Sequence, residues 1–400
     1  MIIHSERIYM EDGCKSGYLE IAGGTIKHFY PEGSLMAVDA DYGSNRIIPG
    51  IFDTHNHGGF GARVSDAATE DEIKLYLKGS AANGVTALFP TTAELGAMKL
   101  LSKMADEVQD GAKIMGIHSE GPWGARVGEK GINTGYPEVD LEYAKKMVDA
   151  CNGKLKLVGI APEVENAGKA IDYFLSNNIT MAMYHTNANY EEANIGIDRG
   201  ITVATHLGNV MTGLHHRDVG VMGAALLRDE VYCELICDFL HICRQMIEIV
   251  LKLKPHDKII MISDSSAYAG APAGIYRSSW RDSESDRDTI RITEDGYVLS
   301  NTGRLSGSSK PVIFGMKNLV EKIGLPPEEV CRLGSYNACN KYGFGDKKGS
   351  LKTGKDADFA VISDDFNVMH TYSEGRLVYD YNKDKNIFNQ KFVEEYKLNI

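Results

Sequence analysis

The chain has 400 residues, of which 43% are hydrophobic and 24% are charged, and these fractions are ordinary for a soluble globular protein. Its formal net charge of −12 argues against a general binder of nucleic acid or anionic membranes, because such proteins need clustered basic surface. Seven cysteines without a CxxC pair indicate reduced thiols and give no sign of a disulfide framework or a thiolate zinc site.

The N-terminal segment MIIHSERIYMEDG alternates like a strand and lacks the basic start and long apolar core of a signal peptide. No apolar run approaches the roughly 20 residues that are needed to span a bilayer. A cytoplasmic protein without a membrane or nucleic-acid partner is therefore expected.

The first 48 residues have the pattern of short β-strands separated by turns, and the residue pattern changes after them. Short apolar runs then alternate with segments of helical spacing that end near glycine. Eight such runs follow one another: IPGIFDTH (48–55), VTALFPTT (85–92), KIMGIHSE (113–120), KLVGIAPE (156–163), ITMAMYHT (179–186), ITVATHLG (201–208), YCELICD (232–238) and KIIMISD (258–264).

Eight strand-then-helix units over about 300 residues predict an α/β fold, a (β/α)8 TIM-type barrel. An open doubly wound sheet is the main alternative, but the chain has no GxGxxG phosphate turn to support it. A strand-like residue pattern returns after about residue 345, in GSLKTGKDADFAVISDD. We therefore expect a small β-sandwich domain from residues 1–48 and 346–400, and a barrel from residues 49–345.

Polar residues collect where these runs end, and in a parallel barrel the loops after the strands build the active site. Glu120 ends the third run in HSEGP, where an unpaired buried carboxylate would cost several kcal/mol. The other candidates at these ends are His55 and His57 after the first run, His185 after the fifth, His206 after the sixth and Asp264 after the eighth.

The spacing of His55 and His57 places both side chains on one face of a strand, where they can share a divalent cation. Glu120, His185 and His206 add the nitrogen and oxygen ligands that are typical of catalytic zinc. Asp264 would then accept a proton from the attacking water. Alone, an HxH pair is weak evidence and Asp264 also fits a helix N-cap, but their concentration at one rim predicts a metal site.

With these residues the chain resembles the amidohydrolase superfamily and, within it, the N-acetylglucosamine-6-phosphate deacetylases. The stretches HTNA and LHHR are the most specific, because generic amidohydrolases lack them. The matching stretches run in the family's order: PGIFDTHNHGG (49–59), HSEGP (118–122), APE (161–163), HTNANYEEA (185–193), THLGNVMTGLHHRDVGVMGAAL (205–226), SDSSAYAGAPAGIY (263–276) and GSLKTGKDADFAV (349–361).

The resemblance implies a barrel with a small β-sandwich and a main catalytic metal held by Glu120, His185 and His206. His55 and His57 leave room for a second ion, so one or two divalent ions are expected. Zinc is favoured, and iron, manganese, cobalt and nickel stay open. The implied reaction is hydrolysis of the acetamide of N-acetylglucosamine 6-phosphate or an epimer, giving acetate and the amino-sugar 6-phosphate.

Substrate residues also carry over from the resemblance. Arg217 matches an arginine that pairs with the substrate phosphate, often from the neighbouring subunit, so a homodimer or higher homo-oligomer is expected. His241 matches a histidine that contacts the sugar hydroxyls. Asn209 and the backbone of Val210 match a loop along the sugar and phosphate.

Three stretches depart from the family pattern: KGIN, the loop with Gly208 and Val210 where a phenylalanine and an alanine are usual, and SDSS where TDAM is usual. The family's KGAH histidine, which polarises the acetyl carbonyl, is replaced here by Asn133 in KGIN. An amide can donate a hydrogen bond to a developing oxyanion but cannot carry charge, so weaker stabilisation is expected. This leaves two alternatives open: a hydrolase of another amide or a cyclic imide, and a non-catalytic metal-binding descendant.

Overall fold

A computed structural model describes residues 1–34, 37–125, 136–278, 289–301, 303, 305, 307–385 and 387–398. Helices and strands alternate through the middle of the chain, and strands dominate towards both ends. The fold is therefore of the mixed α/β type that the alternating runs predict.

Parallel strands carry most of the polar residues of interest. One sheet orders the strands Lys113–Ile114, Val85–Pro90 and Ile51–Asn56. A second sheet has six parallel strands in chain order: Ile117–Ser119, Leu155–Ile160, Thr180–Met183, Ile201–Ala204, Tyr232–Leu235 and Ile259–Met261. Each of the eight apolar runs thus contributes a strand, and the third run is split into two short pieces.

The two parallel sheets are joined at both of their edges. Thr91, just past the second strand, forms a parallel bridge with His118 on the third. At the other edge, the Asp264 N–H donates to the His55 carbonyl (2.9 Å) and the His57 N–H donates to the Ser265 carbonyl (2.7 Å). These bonds bring the carboxyl ends of the first and eighth strands together.

Helices follow most of the parallel strands and cover them. The helix Glu70–Ala82 starts at a capping box in which Thr69 and Glu72 satisfy each other's backbone N–H groups. The α-helices in the described residues are Glu70–Ala82, Leu95–Met104, Leu141–Cys151, Ala167–Ser176, Tyr190–Asp198, Gly220–Leu227, Arg244–Leu253, Val312–Asn318, Pro327–Cys331, Asn337–Lys341 and Gln390–Tyr396. A 3-10 turn spans His256–Lys258, and π-helical turns span Leu319–Ile323 and Arg332–Tyr336.

Strands from the two ends of the chain pair in one sheet. Arg46–Pro49 lies at its centre, antiparallel to Phe359–Ile362 and parallel to Ile2–Met10. The strands of this sheet are Ile2–Met10, Gly13–Ala22, Thr25–Pro31, Ala40–Asp41, Arg46–Pro49, Phe359–Ile362, Val368–Ser373 and Arg376–Asp380. The sheet has its own apolar cluster, which includes Ile3, Ile47 and Phe359.

The last described residues belong to a different sheet. Lys397–Leu398 pairs with Gly274–Arg277, which also pairs with Thr289–Ile292, and Val298–Ser300 completes this antiparallel sheet. A further strand pair joins Gly58–Gly59 to Ala62–Arg63. The predicted division at residues 48/49 and 345/346 stays a prediction. Within the described ranges, no helix has the length and apolar character needed to cross a membrane.

Candidate functional site

The carboxyl ends of the parallel strands bring the predicted metal ligands into contact. Glu120 is at the centre, with its Oε1 atom 2.8 Å from His206 Nε2 and 3.3 Å from His185 Nε2. Its Oε2 atom lies 3.1 Å from His57 Nε2. His55 Nε2 is 3.2 Å from His57 Nε2, so the four imidazoles surround one carboxylate.

Two overlapping groups of these residues have the dimensions of a metal site. The donor atoms of Glu120, His185 and His206 all lie within 4.8 Å of one another, as do those of His55, His57 and Glu120. Each group offers imidazole nitrogens and one carboxylate oxygen, which suit zinc and similar divalent ions. The donor set therefore fits a metal, and Glu120 is shared between the two groups.

Asp264 lies at the edge of this cluster. Its Oδ1 atom is 3.4 Å from His55 Nε2 and 3.4 Å from His57 Nε2. The neighbouring residue fixes the segment after the eighth strand: Ser263 donates to Asp53 from its hydroxyl (2.5 Å) and its N–H (3.1 Å). Asp264 is thus held within reach of any group that binds between the histidines.

The electrostatics of the cluster favour positive charge at its centre. Burial would raise the pKa of Glu120, but the imidazoles of His185, His206 and His57 hold this pKa well below its usual range. Burial would lower the pKa of His57, yet the carboxylates of Asp264 and Glu120 raise it to about 10. Burial opposes the charge of Asp264 too, but His55 and His57 bring its pKa below the usual range. A divalent cation supplies the charge that these carboxylates favour.

Three of the polar strand ends have an unusual backbone. His185, His206 and Asp264 have φ values of 39°, 35° and 50°, in the left-handed region that non-glycine residues rarely adopt. Each such residue costs about 1–3 kcal/mol and persists only where its surroundings impose it. Their occurrence at three ends of the same rim is typical of a functional site.

The HSEGP turn depends on its glycine. Gly121 has φ +90°, and a Cβ atom at this position would lie 2.0 Å from Tyr184 Oη. The Tyr184 ring stacks on His185, with centroids 4.7 Å apart. The glycine therefore lets Glu120 and His185 approach each other.

A half-buried carboxylate also supports the loop that carries His185. Glu163 accepts hydrogen bonds from the Thr186 hydroxyl and the Asn187 N–H, both at 2.6 Å. The helix that follows begins with a capping box between Asn189 and Glu192. The APE and HTNANYEEA stretches therefore form one supporting structure beneath His185.

The predicted substrate residues lie on the loops of the same rim. Asn209 is half-buried and donates through Nδ2 to the His206 carbonyl (3.0 Å), and the Val210 carbonyl accepts from the Thr186 N–H (3.0 Å). His241 Nδ1 is 2.7 Å from Asp238 Oδ2. The Asp238 carboxylate therefore orients the imidazole of His241.

Arg217 is exposed, and within the described ranges its guanidinium makes no ion pair. Asn133 lies outside the described residues. The roles of these two residues stay predictions.

Two neighbours of the ligands were not predicted. Tyr136 Oη lies 2.5 Å from His185 Nδ1, and the fully buried Glu234 lies behind His55. Glu234 had a signal in the sequence, an acid in the middle of the apolar run YCELICD. Tyr136 had none, because nothing in its neighbourhood indicates a contact with a residue 49 positions away.

Known proteins match this chain over most of its length. The model of the amidohydrolase family matches residues 46–378. The N-acetylglucosamine-6-phosphate deacetylase of Lysinibacillus sphaericus is 31% identical over 363 residues, which cover 88% of this chain and 89% of the relative.

Solved structures agree in fold. The crystal structure of the N-acetyl-D-glucosamine-6-phosphate deacetylase of Mycobacterium smegmatis superposes with a TM-score of 0.84 at 26% identity, covering 95% of this chain and 100% of that one. A mutant of that enzyme in complex with N-acetyl-D-glucosamine-6-phosphate gives a TM-score of 0.83 at 26% identity, covering 94% and 99%. With a matched family model, close relatives and a cluster of metal-binding side chains at the strand ends, the chain belongs to the amidohydrolase family, in the group that contains the N-acetylglucosamine-6-phosphate deacetylases.

Proposed function

We propose that this protein is a metal-dependent deacetylase that hydrolyses the acetamide of N-acetylglucosamine 6-phosphate to acetate and the amino-sugar 6-phosphate. The observation that carries the proposal is the contact of Glu120 with His185 and His206, beside Asp264 on the same rim. Ligands and a base together are what hydrolysis requires, whereas a non-catalytic metal-binding descendant has no need for Asp264.

Glu120, His185 and His206 would hold the main cation, and His55 with His57 would contribute to a second. A bound divalent ion such as zinc would supply Lewis-acid activation of water and of the acetamide carbonyl. Zinc is the ion we favour for this imidazole-rich donor set, over iron, manganese, cobalt and nickel.

Asp264 is ionised at neutral pH, because His55 and His57 hold its pKa below the usual range against the effect of burial. It accepts a proton from the attacking water and returns it to the nitrogen of the leaving amine. His241, oriented by Asp238, donates to a sugar hydroxyl. Asn133 donates to the developing oxyanion, and Asn209 and Val210 line the sugar.

The eight parallel strands, hydrogen-bonded at both edges, support a closed (β/α)8 barrel. The sheet built from the chain ends would be the small second domain. The cytoplasm as the compartment stays a prediction.

The decisive assay measures release of free amine from N-acetylglucosamine 6-phosphate by the zinc-loaded protein, with unphosphorylated N-acetylglucosamine in parallel. We expect turnover of the phosphorylated sugar and little of the other. The epimeric N-acetylgalactosamine and N-acetylmannosamine 6-phosphates belong in the same series. If none is hydrolysed while the metal stays bound, the proposal fails, and other amides and cyclic imides become the substrates to test.

Replacing Arg217 by alanine is expected to raise KM for the phosphorylated sugar about 10- to 100-fold, with a smaller effect on kcat. A charge-assisted bidentate contact contributes about 1.5–3 kcal/mol, which corresponds to this range. The exposed guanidinium has no ion pair in the described part of the chain that would compete for phosphate. Arg244→Ala, which removes another exposed arginine, is the control. An unchanged KM in R217A would rule out the phosphate role.

A mixing experiment tests whether Arg217 acts across a subunit interface. Arg217→Ala and Asp264→Asn are each expected to be impaired, but in a mixed dimer one site would combine an intact Asp264 with an intact partner arginine. Co-refolded mixtures should therefore regain part of the activity at low substrate concentration. Sedimentation of the parent protein as a monomer at micromolar concentration, or no recovery on mixing, would exclude the shared site.

A further inference from the structure

A carboxylate lies behind the histidines, on the seventh parallel strand. Glu234 is fully buried within Tyr232–Leu235. Its Oε1 atom accepts a 2.8 Å hydrogen bond from the Thr54 hydroxyl, but its Oε2 atom makes no hydrogen bond to another described residue. A buried carboxylate oxygen is costly to leave without a partner, so its surroundings identify what it is there to bind.

The atom that faces this oxygen is Nδ1 of His55. The two atoms are 3.7 Å apart, and His55 is fully buried as well. His55 Nδ1 also lacks a hydrogen bond within the described ranges. An unsatisfied acceptor beside an unsatisfied ring nitrogen assigns the proton of the neutral imidazole to Nδ1, as carboxylates do for metal-binding histidines.

With the proton on Nδ1, the lone pair of His55 is on Nε2. That atom lies 3.2 Å from His57 Nε2, 3.4 Å from Asp264 Oδ1 and 3.7 Å from Glu120 Oε1. The ring is also held from the side, because His118 meets it edge-on with centroids 4.6 Å apart. His55 is thus presented to the cluster as a ligand.

Charge gives an independent reason for a cation at this position. Glu120, Asp264 and Glu234 place three largely buried carboxylates around His55 and His57. Counted with neutral imidazoles, the form that binds a metal, one divalent ion leaves this group with net negative charge, whereas a second ion between the two histidines reverses the sign. Buried carboxylates are tolerated where such compensation is available.

We propose that Glu234 is a positioning residue, which holds His55 with Nε2 toward His57, Glu120 and Asp264 and so makes a second divalent cation bind between the two histidines. Glu234 itself touches neither the ion nor the substrate. The proposal rests on the proposed function for the positions of both ions, and it adds the role of Glu234 in binding the second.

Calorimetric titration of the metal-free protein with Zn²⁺ tests this. The parent should bind in two steps, and Glu234→Gln should weaken only the second step, about 10- to 100-fold, because a neutral amide is a poorer acceptor for Nδ1–H. Glu163→Gln is the matched control: it also neutralises a carboxylate near the rim, a half-buried one, but Glu163 contacts Thr186 and Asn187. It should leave the second step within twofold of the parent.

Three results would overturn the inference: a single binding step in the parent, an unchanged second step in E234Q, or equal weakening of both steps. Should E234Q fail to fold, the parent protein still decides the question. Its ¹⁵N-labelled imidazoles, with the His55 resonance identified by its loss in His55→Asn, should show a proton on Nδ1 of His55, and a proton on Nε2 would refute the role. Neither readout is activity, so a failure of the proposed substrate would leave this test intact.

Discussion

Replacing Asp264 by asparagine is expected to lower kcat about 10²- to 10⁴-fold and to leave the main metal bound. An amide has the shape of the carboxylate but cannot accept the proton of the attacking water, and this is the usual magnitude for loss of a general base. The ligands Glu120, His185 and His206 contact one another without Asp264, so their affinity for the cation should hold. KM should change much less than kcat.

The measurement pairs amine release with metal content by atomic absorption on the same samples. Asp238→Asn serves as a comparison, because it removes another rim carboxylate, one that contacts His241 instead of the metal ligands. A variant with kcat near that of the parent would exclude Asp264 as the base. Parallel loss of metal and activity would instead assign Asp264 to the ligand set.

The rim could be predicted from the sequence because two simple rules apply to it. Apolar runs mark the strands, and the residue types at their carboxyl ends mark a site in a parallel α/β fold. The structure brings all five predicted ligands into one cluster: His55, His57, Glu120, His185 and His206. Neither rule uses the rest of the fold, so both hold despite errors in strand boundaries.

Strand boundaries were harder, and glycine explains two of the errors. The run IPGIFDTH reads as one strand, but the chain breaks at Gly50, whose Cβ would lie 2.1 Å from Thr86 Oγ1. Arg46–Pro49 belongs to the sheet built from the two ends of the chain, and Ile51–Asn56 belongs to the parallel strands. The third run breaks similarly at Gly116, where a Cβ would lie 2.3 Å from Lys156 Cγ. Periodicity carries no information on such close approaches.

The supporting residues could not be assigned from the sequence. Glu234 interrupts an apolar run, which signals a buried acid but does not name its partner. Its contacts with Thr54 and His55 arise because the first and seventh strands face each other in the folded chain. Tyr136 meets His185 across 49 residues of the chain, a contact that no local pattern encodes.

Replacing Glu120 by glutamine is expected to remove the main cation and to lower kcat about 10³-fold or more. Its carboxylate contacts four imidazoles, and a neutral amide neither balances the cation nor binds it well. Loss of a Lewis acid worth several kcal/mol corresponds to that factor. In contrast to D264N, metal and activity should disappear together.

Thermal unfolding provides a readout for Glu120 that is independent of activity. A ligand that binds only the folded state stabilises it in proportion to the logarithm of its concentration over Kd. Zinc should therefore raise the Tm of the parent and of Glu165→Gln, which changes an exposed glutamate on the same rim of loops, but not the Tm of E120Q. If zinc raised the Tm of E120Q as much as that of the parent, the main cation would have to bind elsewhere, and Glu120, in the middle of four histidines, would then be held by imidazolium charge instead of a metal.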